Sequence, residues 1–377
     1  MKEYKNYLSK FGVSDEAAKD RCKEIFNTIF YGADGERFYT PVGSNMGYIE
    51  DTGNHDARTE GMSYGMMMCV QMDRQEEFNR LWKWARTYMY MDKGPNKGYF
   101  AWSCKTNGEK NAYGAAPDGE EFFIMSLIFA GNRWGNSEGI FDYHSEAGAL
   151  LHTCINKGYD GTIGKSMFDA ETGLIKFIAE EDFSDPSYHL PHFYELYAQV
   201  AVDEKDAEFC RKAARASREY WKKACHPETG LSAEYAAYDG TPQKTDIKRY
   251  GSRHDWFYSD AYRTILNIAV DSAWNGVSDW AKEEADKYIS FFERPENADD
   301  WDHIFEVDGT KLTENALHPI AIIATNATTG VMVDNEKTSK WIKRFLETPL
   351  RLGDRRYYDN CLYFFSYMIL SGNYRIW

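Results

Sequence analysis

An all-α fold, an (α/α)6 barrel of six inner and six outer helices, is what this 377-residue sequence predicts. Two observations carry the prediction: twelve stretches of helical periodicity and, from the second onward, an alternation of nearly apolar helices with charged amphipathic ones. An apolar helix needs burial on all sides, whereas an amphipathic one covers it and faces water. A two-layer solenoid of helix pairs would meet the same demand, but solenoids carry a visible repeat and this chain has none.

In order, the helices are expected over 14–30, 59–74, 76–90, 117–132, 140–157, 187–201, 203–224, 257–274, 278–293, 314–327, 336–348 and 356–371. The apolar set includes GMSYGMMMCV, EEFFIMSLIFAG, YRTILNIAV, PIAIIATNA and NCLYFFSYMIL. The amphipathic set includes RQEEFNRLWKWARTY, DEKDAEFCRKAARASREYWKKA and SDWAKEEADKYISFFE. Long loops rich in turn residues separate the pairs, and the one carrying Tyr99, Phe100 and Trp102 is expected to form strands or a hairpin at one rim. No linker, low-complexity tract or composition break divides residues 1–377, so one domain is expected.

The balance of 44 basic against 59 acidic residues, net −15, argues against nucleic acid and acidic membrane surfaces as partners, since both would be repelled. Aromatics reach 16%, with 27 Tyr and 11 Trp, an excess suited to stacking on sugar rings as well as to packing large helices. Seven scattered cysteines without a CxxC pair suggest neither a disulfide framework nor a zinc ribbon. With no apolar leader in MKEYKNYLSKFG and no run near the ~20 residues a membrane span requires, the expected location is the cytoplasm.

The segment from Arg58 to Met68 is the most informative, because it sets one carboxylate, Glu60, at the mouth of a helix otherwise built for burial. Thr59 is expected to cap that helix. Dry surroundings raise a carboxyl's pKa, as an acid catalyst near neutral pH requires, although a first-turn Glu also simply complements the helix dipole. Other apolar helices likewise carry polar groups at their N-terminal ends: Asp118, Tyr188 with His189, Asp260 and His318. Parallel inner helices would gather these ends on one rim. Two carboxylates flanking a glycosidic bond are the minimum for its hydrolysis, one protonating the leaving oxygen and the other attacking or activating water. Glu60 fits the acid. Asp260, with Arg263 nearby, fits a base expected to remain ionised, and Asp118 a group that holds the sugar in the −1 subsite, the ring whose bond is cut.

These residues resemble the signatures of glycoside hydrolase family 8. Arg58 through Met66 is similar to its acid-bearing segment, Tyr258-Ser259-Asp260-Ala261-Tyr262-Arg263 to its base segment, and Pro117-Asp118-Gly119-Glu120-Glu121 to its third acidic site. The resemblance implies inverting hydrolysis of a β-1,4-linked sugar chain without metal or cofactor, Glu60 being the donor and Asp260 the base. Within the family it is greatest to the branch that releases xylose from the reducing end of xylo-oligosaccharides, with endo-acting members as the alternative. In that branch Tyr188 would hold the nucleophilic water, and His318 in Leu317-His318-Pro319 would close the aglycone side. Arg58, Tyr64 and Arg263 of these segments, together with Trp102, Trp256 and His254, count as candidate sugar contacts. Asp255 is a second carboxylate beside the base segment, expected either to touch substrate or to bond its own loop.

His189 and His192, three apart, could share a metal on a helix, but Pro191 between them and the missing HExxH pattern count against it. Neither GxGxxG nor GxxxxGK[ST] occurs in a nucleotide-binding setting, and the run Glu283-Glu284-Ala285-Asp286-Lys287 reads as a solvated helix face. A sugar-binding barrel without catalysis is disfavoured because all three carboxylates are present.

Overall fold

Burial sorts the helices into two sets. The computed structural model describes residues 3–377 and contains, among them, thirteen α-helices: α1 (Asp15–Tyr31), α2 (Thr59–Gln71), α3 (Gln75–Trp84), α4 (Pro117–Trp134), α5 (Tyr143–Asn156), α6 (Pro191–Tyr197), α7 (Glu204–Ala224), α8 (Ile247–Tyr250), α9 (Tyr262–Asn275), α10 (Asp279–Phe292), α11 (Pro319–Ala327), α12 (Glu336–Glu347) and α13 (Arg356–Leu370). In α2 every residue from Gly61 to Gln71 is buried, and in α13 every residue from Tyr357 to Leu370. In α7 only a stripe is buried, through Ala207, Cys210, Ala213, Ala214, Ser217 and Trp221, at the spacing of one helical face.

The inner ring runs α2, α4, α6, α9, α11, α13, each helix against the next. It closes through Tyr64 of α2, whose ring meets Phe365 of α13 edge-on at 5.1 Å. Outer helices α3, α5, α7, α10 and α12 each cover the inner helix that neighbours them in sequence, and α1 covers α13. The first outer helix therefore partners the last inner one. Three small antiparallel sheets decorate the ring: β1 (Tyr39–Val42) with β2 (Met46–Ile49); β3 (Asp56–Arg58) with β4 (Ser103–Lys105); and β5 (Trp256–Phe257), β6 (His303–Glu306) and β7 (Lys311–Asn315) in that order. Pairing of Arg58 with Ser103 brings the expected rim strand beside the start of α2 and leaves Trp102 at the cavity, while Tyr99 and Phe100 enter the core.

Several helices start later than their periodicity suggests. Residues 186–188 form a 3-10 turn and α6 begins only at Pro191, whose ring keeps the preceding residue out of the helical region. Residues 257–261 divide into β5 and a 3-10 turn because Ser259 sits at φ +38°, where a helix cannot pass. Pro319 likewise starts α11, and 311–315 is strand instead. The third helix widens into a π-helical turn at Ala85–Met89, and the short α8 has no periodicity to announce it. Nor does Thr59 cap α2: the cap is Arg58, which makes no side-chain cap bond, and Thr59 is the first helical residue. Its side chain serves packing, since a Cβ on Gly119 would stand 2.3 Å from Thr59 Cβ. Glycine there lets the starts of α2 and α4 touch, which brings Glu60 and Asp118 together.

Candidate active site

A cavity of ≈ 640 Å³ opens where the inner helices begin, and Glu60, Asp118, Tyr188, Asp260 and His318 all line it. These groups share the rim as expected, but His189, expected beside Tyr188, does not: it is buried against Ser184 and Ser217. The last inner helix adds Tyr357 and Tyr358.

Beneath the cavity lies Arg263, 3% exposed, one guanidinium among four carboxylates. Its Nη1 donates to Glu60 Oε2 at 2.9 Å, Asp118 Oδ2 at 3.0 Å and the Tyr64 hydroxyl at 3.0 Å. Its Nη2 stands 3.1 Å from Asp260 Oδ1 and 4.0 Å from Asp185 Oδ2. The other oxygen of Glu60 accepts the Tyr357 hydroxyl at 2.6 Å. Burial pushes the Glu60 carboxyl up to about 7; Arg263 opposes this, and the charges of Asp118 and Asp260 reinforce it. Asp118 is raised too, first by burial, while Arg263 and the Gly119 N–H pull it back. Asp185, fully buried, is pushed well above the ordinary carboxylate range by burial and by Asp260. Asp260 is the most open of the four, its side chain 27% exposed, beside the Tyr358 hydroxyl at 3.5 Å. The strained φ of Ser259 next to it is the kind of backbone outlier that surrounding structure maintains at functional sites.

Arg58, Trp102, Tyr188 and His318 face the cavity as expected. Arg58 pairs with Asp51 and Asp56 and lies over the Trp102 ring at 5.3 Å. His318 rests on Tyr358, with Nδ1 3.1 Å from Asp359, whose carboxylate also takes Arg351 and the Ala321 N–H. Four expected contacts do not face it. Tyr64 and Arg263 lie below the floor, where they fix the carboxylates instead of meeting sugar. Asp255 is gripped by Nε and Nη2 of Arg253, whose Nη1 and Nη2 hold Glu306 as well, so its charge is used within the loop. Trp256 turns its indole N–H to Glu234 at 2.8 Å. His254 does line the cavity. The two histidines flanking Pro191 diverge: His189 bonds Ser184 and Ser217, and His192 packs edge-on against Trp274.

Sequence reasoning missed Asp185, Glu234, Tyr357 and Tyr358. The tyrosines sit inside an apolar helix and read as core, and Asp185 and Glu234 lie in segments without periodicity. The one available signal was Tyr357-Tyr358-Asp359 at the start of an inner helix, the same placement that singled out the other groups.

Comparison with known proteins fits this geometry. The model of "Glycosyl hydrolases family 8" matches residues 4–369, and the chain belongs to that family and is a glycoside hydrolase. Among its relatives is a reducing end xylose-releasing exo-oligoxylanase of Halalkalibacterium halodurans, 49% identical across 100% of this chain and 95% of the other. Another of that description, from Bifidobacterium adolescentis, is 42% identical across 98% and 96%. Rex8A from Paenibacillus barcinonensis, solved in complex with xylose, superposes with a TM-score of 0.94 at 47% identity, covering 99% of this chain and 97% of that one.

Proposed function

We propose that this protein removes xylose from the reducing end of β-1,4-xylo-oligosaccharides with inversion, acting as one catalytic domain over 1–377. The observation that carries the reading is the gathering of Glu60 and Asp118, from the first turns of α2 and α4, and Asp260, from the 3-10 turn that leads into α9, around one guanidinium at the cavity floor. Glu60, kept protonated near neutral pH by burial, delivers its proton to the departing glycosidic oxygen. Asp260, open to the cavity and charge-paired to Arg263, takes a proton from a water that attacks the anomeric carbon on the opposite face, with Tyr188 orienting that water. Asp118 holds the −1 sugar. Trp102 supplies a flat face for a ring, and Arg58 orients it. Leu317 and His318, anchored through Arg351 and Asp359, form a wall that leaves room for one sugar past the cut. The names of the relatives support the same substrate class.

A cytoplasmic location completes the proposal, supported by seven free and buried cysteines; among the described residues no helix is long and apolar enough to cross a membrane. The test is chromatography of products from xylotetraose and from its reduced alditol. Xylose and xylotriose should form from the first, and the alditol should stay intact. Cleavage of both into mixed fragments would mark an endo-acting enzyme.

A further inference from the structure

Glu234 is a buried carboxylate in the cavity wall that the chemistry above does not use. Its Oε2 is doubly engaged, by His254 Nδ1 at 2.9 Å and by the Trp256 indole N–H at 2.8 Å. His254 Nε2 lies 3.2 Å from the Tyr250 carbonyl, which only accepts. That carbonyl requires Nε2 to carry hydrogen; at Nδ1 burial lowers the imidazole's pKa, but the hydrogen bond and charge of Glu234 outweigh it and raise it on balance, favouring imidazolium beside carboxylate. Backbone bonds from Glu234 N to Trp256 O and from Tyr235 N to His254 O fix the two segments together, and Tyr235 stacks on the imidazole at 4.3 Å. His254 itself is held at φ +58°, a conformation bulky residues rarely take. All this restraint serves one oxygen of Glu234. Its Oε1 receives no hydrogen bond from the described residues, yet it is not sealed from solvent and its residue borders the cavity.

The geometry points to Glu234 as a substrate-positioning carboxylate whose Oε1 accepts a hydroxyl of the sugar bound beside Asp260, with His254 holding it ionised and aimed. An ionised carboxylate only accepts, so it selects a donor, and sugar hydroxyls are the donors this cavity meets. A purely structural role for Glu234 would need only the oxygen already occupied. The inference rests on the xylo-oligosaccharide reading above.

Glu234→Gln tests it by inversion of polarity. His254 and Trp256 still demand an acceptor, so the amide oxygen stays with them and the NH2 turns to the cavity, replacing acceptor by donor. With xylotriose, KM should rise roughly 10- to 100-fold, the weight of one hydrogen bond to a charged group, with kcat far less affected and the circular dichroism spectrum unchanged. Should the amide variant not fold, Glu234→Asp keeps the charge for His254 but withdraws the free oxygen from the sugar, and the same rise in KM is expected. A KM within twofold of the unaltered enzyme in a folded variant overturns the inference, as does a loss confined to kcat. If the unaltered enzyme leaves xylotriose uncut, it is the substrate reading that fails.

Discussion

Helix α9 takes part in two of the clusters in which an arginine gathers carboxylates. Toward its C-terminal end Asp271 meets Arg218 of α7 in a two-pronged pair at 2.9 and 2.6 Å, with Glu195 on the remaining nitrogen. At its N-terminal end Arg263 faces Glu60, Asp118, Asp185 and Asp260. Burial raises Asp271, but the hydrogen bond and charge of Arg218, with help from His192 and Asn275, bring it below its ordinary value. Burial raises Glu60 as well, and there Arg263 loses, because its single charge is divided among four acids that also repel one another. The same pairing chemistry thus makes a strut at one end of the helix and a proton donor at the other. Stoichiometry and solvent decide which.

The largest way to break the contrast is Arg263→Met. Removing the guanidinium leaves buried carboxylates without their cation, so the fold should lose roughly 3–5 kcal/mol and hydrolysis should vanish. The loss should deepen as pH rises, because the remaining acids must then ionise unpaired; denaturant unfolding at several pH values would measure it. Next in size, Glu60→Gln and Asp260→Asn should each lower kcat on xylotriose by roughly 10²–10⁴-fold with the helical circular dichroism intact. Undiminished turnover in either would remove that residue from the chemistry. Smaller is Tyr357→Phe. In the unaltered enzyme activity should fall as pH rises through about 7, where Glu60 gives up its proton. The Tyr357 hydrogen bond favours the ionised form, so its removal should move that alkaline limb upward, as pH–rate profiles would record. Smallest is Arg218→Met. Its side chain is 29% exposed, so screening limits the cost to about 1 kcal/mol, with unchanged kinetics.

What was legible in the sequence follows from what is local. Glu60 stood out because a carboxylate opening an unbroken apolar run has few neighbours but core, and the structure gives it that dry setting. Alternation of apolar and amphipathic helices carried the barrel for the same reason. Orientation was not legible. Asp255 and Asp260 lie five residues apart, and nothing in their neighbours tells that one is clasped by Arg253 while the other reaches the cavity. From sequence Arg263 reads as a neighbour of Asp260 and a sugar contact, and its role as the cation of Glu60 and Asp118 is hidden because those bonds span 203 and 145 residues. Pro191, Ser259 and Pro319 moved helix starts by breaking a periodicity that was otherwise sound.

The pairing of α1 with α13, and of Tyr357 with Glu60 across 297 residues, ties the chemistry to the order of synthesis. A chain emerging from the ribosome exposes Glu60 early, but the acid's lid of tyrosine and the ring that dries it arrive only with the final inner helix. Until that helix docks, Glu60 lacks both the Tyr357 hydroxyl and the closed ring whose burial raises its pKa, so its work as a proton donor waits on α13.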